Sequence, residues 1–341
     1  MSDEQPMVSV IVLNYNGAKY LSTLLSSLHR QSSNSFELIV VDNGSTDNSI
    51  VLIQKSYPEA KILHNRINTY AAGNNVGIRN ASGKYILVLN NDTELDENFI
   101  HELTQAAKST PNDVGMWAVK ILNFFERGTI DNTGLLLYPD GLSRGRGRLE
   151  RDAGQYDAVE EVCFPSGCAG MYKKQMLDEI GLFDEDFKFF VEDSDLGFRG
   201  RLAGWKCIYV PSARVYHMFS KSFGTYSPEK AFYVERNRLW FVFKLCPWKV
   251  ILISPFYSFK RYLFQLYGLI IGRGAAKKFS QQYSSYMLGL ILLKAWLSGI
   301  SGIPAVLRKR GKITKRVSNR EISSWFRKYR ISAREIALKE Y

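Results

Sequence analysis

Short apolar runs recur at regular intervals through the first ninety residues. MVSVIVL (7–13), FELIVVD (36–42), KILH (61–64) and KYILVLN (84–90) are rich in β-branched residues and bounded by turn chemistry such as Asn16-Gly17 and Asn43-Gly44, which predicts four strands. Between them Leu21, Leu24, Leu25 and Leu28 repeat at helical spacing, and STDNSIVLIQKSY opens with Ser45 or Thr46 as an N-cap. Strands alternating with helices predict an α/β fold, a parallel sheet with helices on both faces. In such sheets ligands sit at the carboxyl ends of the strands.

The rhythm changes twice. Residues 126–160 are dense in Gly, Asp and Arg and predict a long loop beside the site, of the kind that holds one substrate or closes over another. After residue 230 the chain turns apolar and aromatic, but Lys249, Lys260, Arg261, Arg273 and Lys294 interrupt it. No uncharged run reaches the ~18 residues of a spanning helix. Amphipathic or re-entrant segments in a membrane interface are expected, with a helical subdomain packed on the sheet as the alternative. The expected domains are 1–235, carrying the site, and 236–341, basic, aromatic-rich and helical.

Charge sharpens that division. The net charge is +12, but residues 1–199 hold 18 Lys/Arg against 28 Asp/Glu, and residues 200–341 hold 27 against 5. The net +22 of the second part suits nucleic acid or an anionic membrane leaflet. Its aromatics lie in long apolar runs, which disfavours nucleic acid. The four cysteines lack CxxC spacing, so neither a zinc site nor a disulfide framework is expected. MSDEQPMVSV enters a strand with no apolar signal core, which favours a cytosolic site.

Three clusters carry candidate chemistry. YILVLNNDTELD ends a greasy strand on Asn90, Asn91 and Asp92, a hard oxygen donor for Mg2+ or Mn2+ that shares the cation with a diphosphate, or an ordinary Asn-Asp turn. ELIVVDNGSTDNS brings Asp42 out of a second strand, either as acceptor for a base imide or ribose hydroxyl or as a helix cap. FDEDFKFFVEDSDLGFRG sets Glu192, Asp193 and Asp195 beside Phe187, Phe189 and Phe190, as first-turn helix acids or with Asp193 as a general base. His217, emerging from KCIYVP and the residues after it, is a candidate metal ligand or a structural histidine. No dinucleotide fingerprint, P-loop or nucleophile elbow is present, so phosphate handling falls to metal and basic residues.

VSVIVLNYNG, VDNGSTDNS, AAGNNVGI, LVLNNDT, FPSGCAGMYKKQMLDEIGLFDEDFKFFVEDSDLGFR, YH and ERNRLW, in this order over residues 7–245, resemble the family 2 glycosyltransferases of GT-A fold, in particular a bacterial rhamnosyltransferase-like branch. The resemblance implies a Rossmann-like mixed sheet and an inverting, metal-dependent transfer of a sugar from a dTDP or UDP donor, dTDP-rhamnose first and a UDP-hexose next. It implies Asp193 as catalytic base and Asp92 and His217 as ligands of Mg2+ or Mn2+. Asn16, Asp42, Asn74, Asn90 and Asn91 would meet the donor nucleotide, and Glu192, Asp195, Arg199 and Gly167 would shape the acceptor side. The implied acceptor is a polyprenyl-diphosphate-linked saccharide, met at the cytoplasmic face of the cell membrane by a peripheral or monotopic enzyme, with homo-oligomerisation left open. Ile67-Asn68-Thr69-Tyr70-Ala71 departs from the N-x-G-F-A usual in relatives, and Asn90 stands where many have an acid. The competing readings are a non-catalytic nucleotide-sugar-binding scaffold of a polysaccharide assembly complex and a nucleotidyltransferase.

Overall fold

The computed structural model describes residues 6–219 and 226–339. They form two compact units, one of residues up to 134 together with 145–219, the other of 135–144 together with the chain beyond 219. The boundary expected at residue 235 falls inside a single helix, Pro228–Leu245. The segment 135–144 is the other departure, because the expected 126–160 loop is divided between the units.

The first unit starts with β1 (Val8–Asn14), α1 (Ala18–His29), β2 (Phe36–Asp42), α2 (Ser49–Ser56), β3 (Lys61–His64), α3 (Tyr70–Arg79) and β4 (Tyr85–Asn90). The four expected strands are present. α1 buries Leu21, Leu24, Leu25 and Leu28, the stripe read from the sequence, each contributing about 1.5–3 kcal/mol. The N-cap of α2 is Asn48 rather than Ser45 or Thr46, because those two hydrogen-bond to Asp42 and Asn16 and hold the preceding loop instead. There follow β5 (Thr93–Leu95), α4 (Phe99–Ser109), β6 (Val114–Asn123), β7 (Ile130–Asn132), and, after β8 (Leu135–Leu137) and β9 (Ser143–Gly145), β10 (Glu160–Val162), β11 (Ala169–Lys173), α5 (Lys174–Ile180), α6 (Glu192–Leu202) and β12 (Lys206–His217).

The sheet order is β10-β12-β6-β11-β4-β1-β2-β3. β1, β2, β3 and β4 are parallel, as is β12 with β6, but β11 runs antiparallel to both β4 and β6. The sheet is therefore mixed, as the family resemblance implies, although the alternation of elements taken alone reads as parallel. The register pairs Asn14 with Asp42 and Leu13 with Asn90, so three strands end at one edge. The turn entering the reversed β11 reaches the same edge, where the Cys168 carbonyl accepts from the Asn90 amide at 2.9 Å.

The second unit joins the β8–β9 segment to helices α7 (Pro228–Leu245), α8 (Trp248–Ile270), α9 (Gly274–Gln282), α10 (Ser285–Arg310), α11 (Asn319–Lys328) and α12 (Ala333–Leu338). Ser227, Ser284, Ser318 and Ser332 cap four of them through side-chain acceptance of a backbone N–H. Tyr138, Leu142, Ile331, Ala333 and Ile336 form its apolar cluster. Beside it lies a buried ionic group. Arg238 and Arg261 meet Glu235 at 2.6 and 2.8 Å, and Arg261 meets Asp140 at 2.8 Å. All four cysteines are buried.

Candidate active site

Asparagines and one aspartate organise the end of β1 and β2. Asp42 is 3% exposed, and its carboxylate accepts from Asn14 Nδ2, Gly44 N, Ser45 N and Ser45 Oγ at 2.5–3.2 Å. Two donors on each oxygen use the four acceptor positions of a carboxylate. Asp42 thus holds its own loop closed. Asn16, in the left-handed region at φ 48°, accepts from the amides of Thr46 and Asp47 and ties the β1–α1 turn to the β2–α2 loop. Asn91 extends this network by donating to Asn14 Oδ1 at 2.9 Å. Gly17 leaves the room these amides need, since a Cβ there would lie 2.2 Å from Asn91 Nδ2 and 2.3 Å from Asn14 Oδ1.

Next along the same edge, Asp92 Oδ2 lies 3.3 Å from His217 Nε2, and His217 Nδ1 lies 3.2 Å from Asp131 Oδ2. The Cys168 thiol also interacts with the imidazole. Burial alone would depress the His217 pKa, but Cys168, Asp92 and Asp131 outweigh it and hold the ring well above its ordinary value. Two ligands side by side on a small divalent ion at ~2.1 Å are about 3 Å apart, so Asp92 and His217 fit Mg2+ or Mn2+. Among the described residues no group of three or more His, Cys, Asp or Glu side chains gathers to hold an ion. A cation here would complete its shell with diphosphate oxygens and water. Sequence patterning does not single out Asp131. Its signal is faint, one acid in TIDNTG, and burial of that acid on β7 beside β6 is what gives it meaning.

The third cluster opens α6. Three non-glycine residues just before it, Lys188, Phe190 and Val191, have φ of 61–72°, a strained run of the kind that persists where surrounding structure holds it. Asp193 Oδ2 accepts from the Gly167 amide at 2.9 Å and Oδ1 from the Ser194 amide at 2.6 Å. Burial raises the Asp193 pKa, opposed by those two amides, and raises Glu192 well above the carboxylate range, with the Asp193 charge adding to it. Asp195 and Arg199 act from behind. Arg199 donates to Asp195 and to the carbonyls of Ile180, Gly181 and Leu182, which ties α6 to the 180–182 turn. Asn74, on α3, donates to the Tyr70 carbonyl. Asn74 Oδ1, the Tyr172 hydroxyl and Glu192 Oε2 are buried with no hydrogen-bond partner among the described residues.

Adjacent residues on one turn join the clusters: Gly167 contacts Asp193, and Cys168 contacts His217. The chain Asp42–Asn14–Asn91 leads to Asp92 from the other side. Asp42, Asp92, His217 and Asp193 therefore share one edge of the sheet.

A mixed sheet of this order, with its polar strand ends gathered at one edge, is the GT-A fold of nucleotide-diphospho-sugar transferases. A mannosyltransferase from Pyrobaculum calidifontis, solved with GDP-Man and Mn2+, is similar in fold, at TM-score 0.51 and 16% identity over 91% of this chain and 86% of that one. Glycosyl transferase family 2 matches residues 9–181, just over half the chain, and the protein belongs to that family.

The chain is also similar to the O-antigen biosynthesis protein RfbC of Myxococcus xanthus, 26% identical over 228 residues. That match takes 64% of this chain but only 18% of the longer relative. An N-acetylglucosaminyl-diphospho-decaprenol L-rhamnosyltransferase of Mycobacterium tuberculosis is 25% identical over 255 residues, 66% of this chain and 79% of that protein.

Proposed function

We propose that the enzyme transfers a sugar with inversion, in one in-line displacement, with Asp193 as the base. The observation that carries this is the setting of Asp193, a half-buried carboxylate in the first turn of α6, one residue along the 166–168 turn from the contact with His217. The acceptor hydroxyl gives its proton to Asp193 as its oxygen bonds to the anomeric carbon, and the bond from that carbon to the diphosphate oxygen breaks. The amides of Gly167 and Ser194 orient the carboxylate, and its raised pKa makes it a stronger base than an exposed aspartate. Asp92 and His217 would hold Mg2+ or Mn2+, which draws charge off the departing diphosphate.

Asn16, Asp42, Asn90 and Asn91 are proposed to form the nucleotide side. Asp42 serves there by shaping the loop 43–47. The partnerless Glu192, Tyr172 and Asn74 atoms support a polar ligand completing the site. dTDP-rhamnose is the first donor to test and a UDP-hexose the second; the likeness to an L-rhamnosyltransferase supports the former. The same relative's name supports a polyprenyl-diphosphate-linked saccharide as acceptor.

Attachment to the cytoplasmic face of a membrane is proposed for the second unit. Leu252, Phe256, Phe259, Leu263, Leu266 and Ile270 form an exposed stripe on α8, and Tyr286, Leu290, Leu293, Leu297 and Ile300 form another on α10. Both stripes step by three and four residues, in a strongly basic part of the chain, a combination suited to anionic lipid interfaces. α10 is also long and apolar enough to cross a membrane by length and composition, despite Lys294.

The test is a panel of dTDP- and UDP-sugars with and without Mn2+, read as donor hydrolysis and transfer to a short polyprenyl-diphosphate-linked saccharide. Donor binding without turnover by any acceptor, unchanged by Asp193→Asn, would instead support a non-catalytic scaffold.

A further inference from the structure

The stretch 126–160 stands out in the sequence for its Gly, Asp and Arg content, and the reaction proposed above leaves that pattern unused. Two of its residues reach the site. Asp131, 5% exposed, presents Oδ2 to His217 Nδ1 at 3.2 Å, and its Oδ1 accepts from Arg148 Nη1 at 2.6 Å. The Arg148 guanidinium also lies 5.0 Å over the Phe219 ring, two residues past His217. Gly145 lets the returning chain pass tightly around this acid, because a Cβ there would lie 2.7 Å from the Asp131 carbonyl oxygen. Arg148, Asp131, His217 and Asp92 thus form a continuous file.

We infer that Asp131 is a positioning residue that fixes the ring of His217 so that Nε2, and not Nδ1, is presented beside Asp92, with Arg148 locking Asp131 in place. A histidine that ligates through one nitrogen commonly donates the other N–H to a carboxylate, which sets both tautomer and ring angle. This inference rests on the proposal that Asp92 and His217 hold a divalent cation. The long loop thereby delivers an acid and its counter-charge to the far side of the histidine.

The experiment measures Mn2+ affinity of the full chain by electron paramagnetic resonance in excess UDP and, in parallel, dTDP, for wild type, Asp131→Asn, Arg148→Gln and His217→Ala. Ring 15N resonances of His217 are recorded on the same proteins, and thermal unfolding checks that each is folded. Asp131→Asn is expected to weaken Mn2+ about 10- to 100-fold and to shift the His217 ring away from the Nδ1–H tautomer, with nucleotide binding in the absence of metal unchanged. Arg148→Gln, which leaves the acid in place, should weaken Mn2+ by a smaller factor. Wild-type Mn2+ affinity and ring resonances in Asp131→Asn, alongside weakened Mn2+ in His217→Ala, would overturn the positioning role while sparing the cation site. If His217→Ala also binds Mn2+ like wild type, the cation site itself is wrong and the inference falls with it.

Discussion

The hydroxyl of Tyr70 donates to the carbonyl of Gly167 at 2.5 Å. The amide of that same glycine donates to Asp193, so α3 is linked to the proposed base through one residue. The hydroxyl is thus a tether between α3 and the 166–168 turn. Tyr70→Phe should lower kcat about 2- to 10-fold, the worth of one net hydrogen bond, with little change in donor KM. Equal kcat would show that the turn holds Asp193 without it.

Asp193→Asn separates catalysis from stability. Loss of a general base should cost about 10²- to 10⁴-fold in kcat. The folded pKa of Asp193 is raised, so the folded chain binds that proton more tightly than the unfolded chain. Its stabilising contribution is complete below the ordinary carboxylate range and is lost as pH rises through the raised value. At neutral pH the asparagine variant should therefore melt no lower than wild type, and the acid limb of wild-type kcat/KM should lie above the usual aspartate range. Melting well below wild type would contradict the assigned cost of burial.

Gly17→Ala tests the amide network. The new methyl must displace Asn14 and Asn91, at a cost of about 1–3 kcal/mol. Weaker nucleotide binding in isothermal titration is expected together with a lower Tm. A variant with the lower Tm but wild-type nucleotide affinity would remove Asn14 and Asn91 from the donor side.

The ionic group of the second unit makes a pH prediction of its own. Burial would raise the pKa of Glu235, but Arg238 and Arg261 override it and bring it down to about 2. The stability it contributes is present above the ordinary value of 4.5 and is lost as pH falls toward about 2. Arg261→Met leaves Asp140 and Glu235 short of a counter-charge and should destabilise by about 3–5 kcal/mol, seen in urea unfolding at neutral pH and diminishing as the acids are protonated.

Phe259→Glu with Leu263→Glu should abolish binding to vesicles containing anionic lipid while leaving transfer to a soluble acceptor intact. Wild-type binding should weaken with salt, since part of it is electrostatic. Cosedimentation of the double variant equal to wild type would remove the α8 stripe from the interface.

Short continuous apolar runs and one helical stripe make the first four strands and α1 legible, because β1, β2 and β4 are buried on both faces and α1 on one. The reversal of β11 is not legible: AGMYK is apolar whichever way it runs, and its direction is set by pairing with β4 and β6. Asp92, His217 and Asp193 stand out because polar groups break from apolar strands or crowd a helix start. Asp42 stands out for the same reason, but its four donors, three from its own loop and one from Asn14 on β1, can be counted only in three dimensions. Asp131 stays hidden because its partner lies 86 residues away. Long-range pairing is likewise why residues 135–144 do not separate, in sequence, from the loop around them.

Because β11 runs counter to its neighbours, the short turn at 166–168 enters the sheet at the rim where the parallel strands finish. Substitutions in those three positions would reach Asp193 through one residue and His217 through the next without disturbing any parallel pairing. Under the proposed mechanism, evolution thus has a compact place to retune which alcohol is accepted, while the scaffold beneath stays as it is.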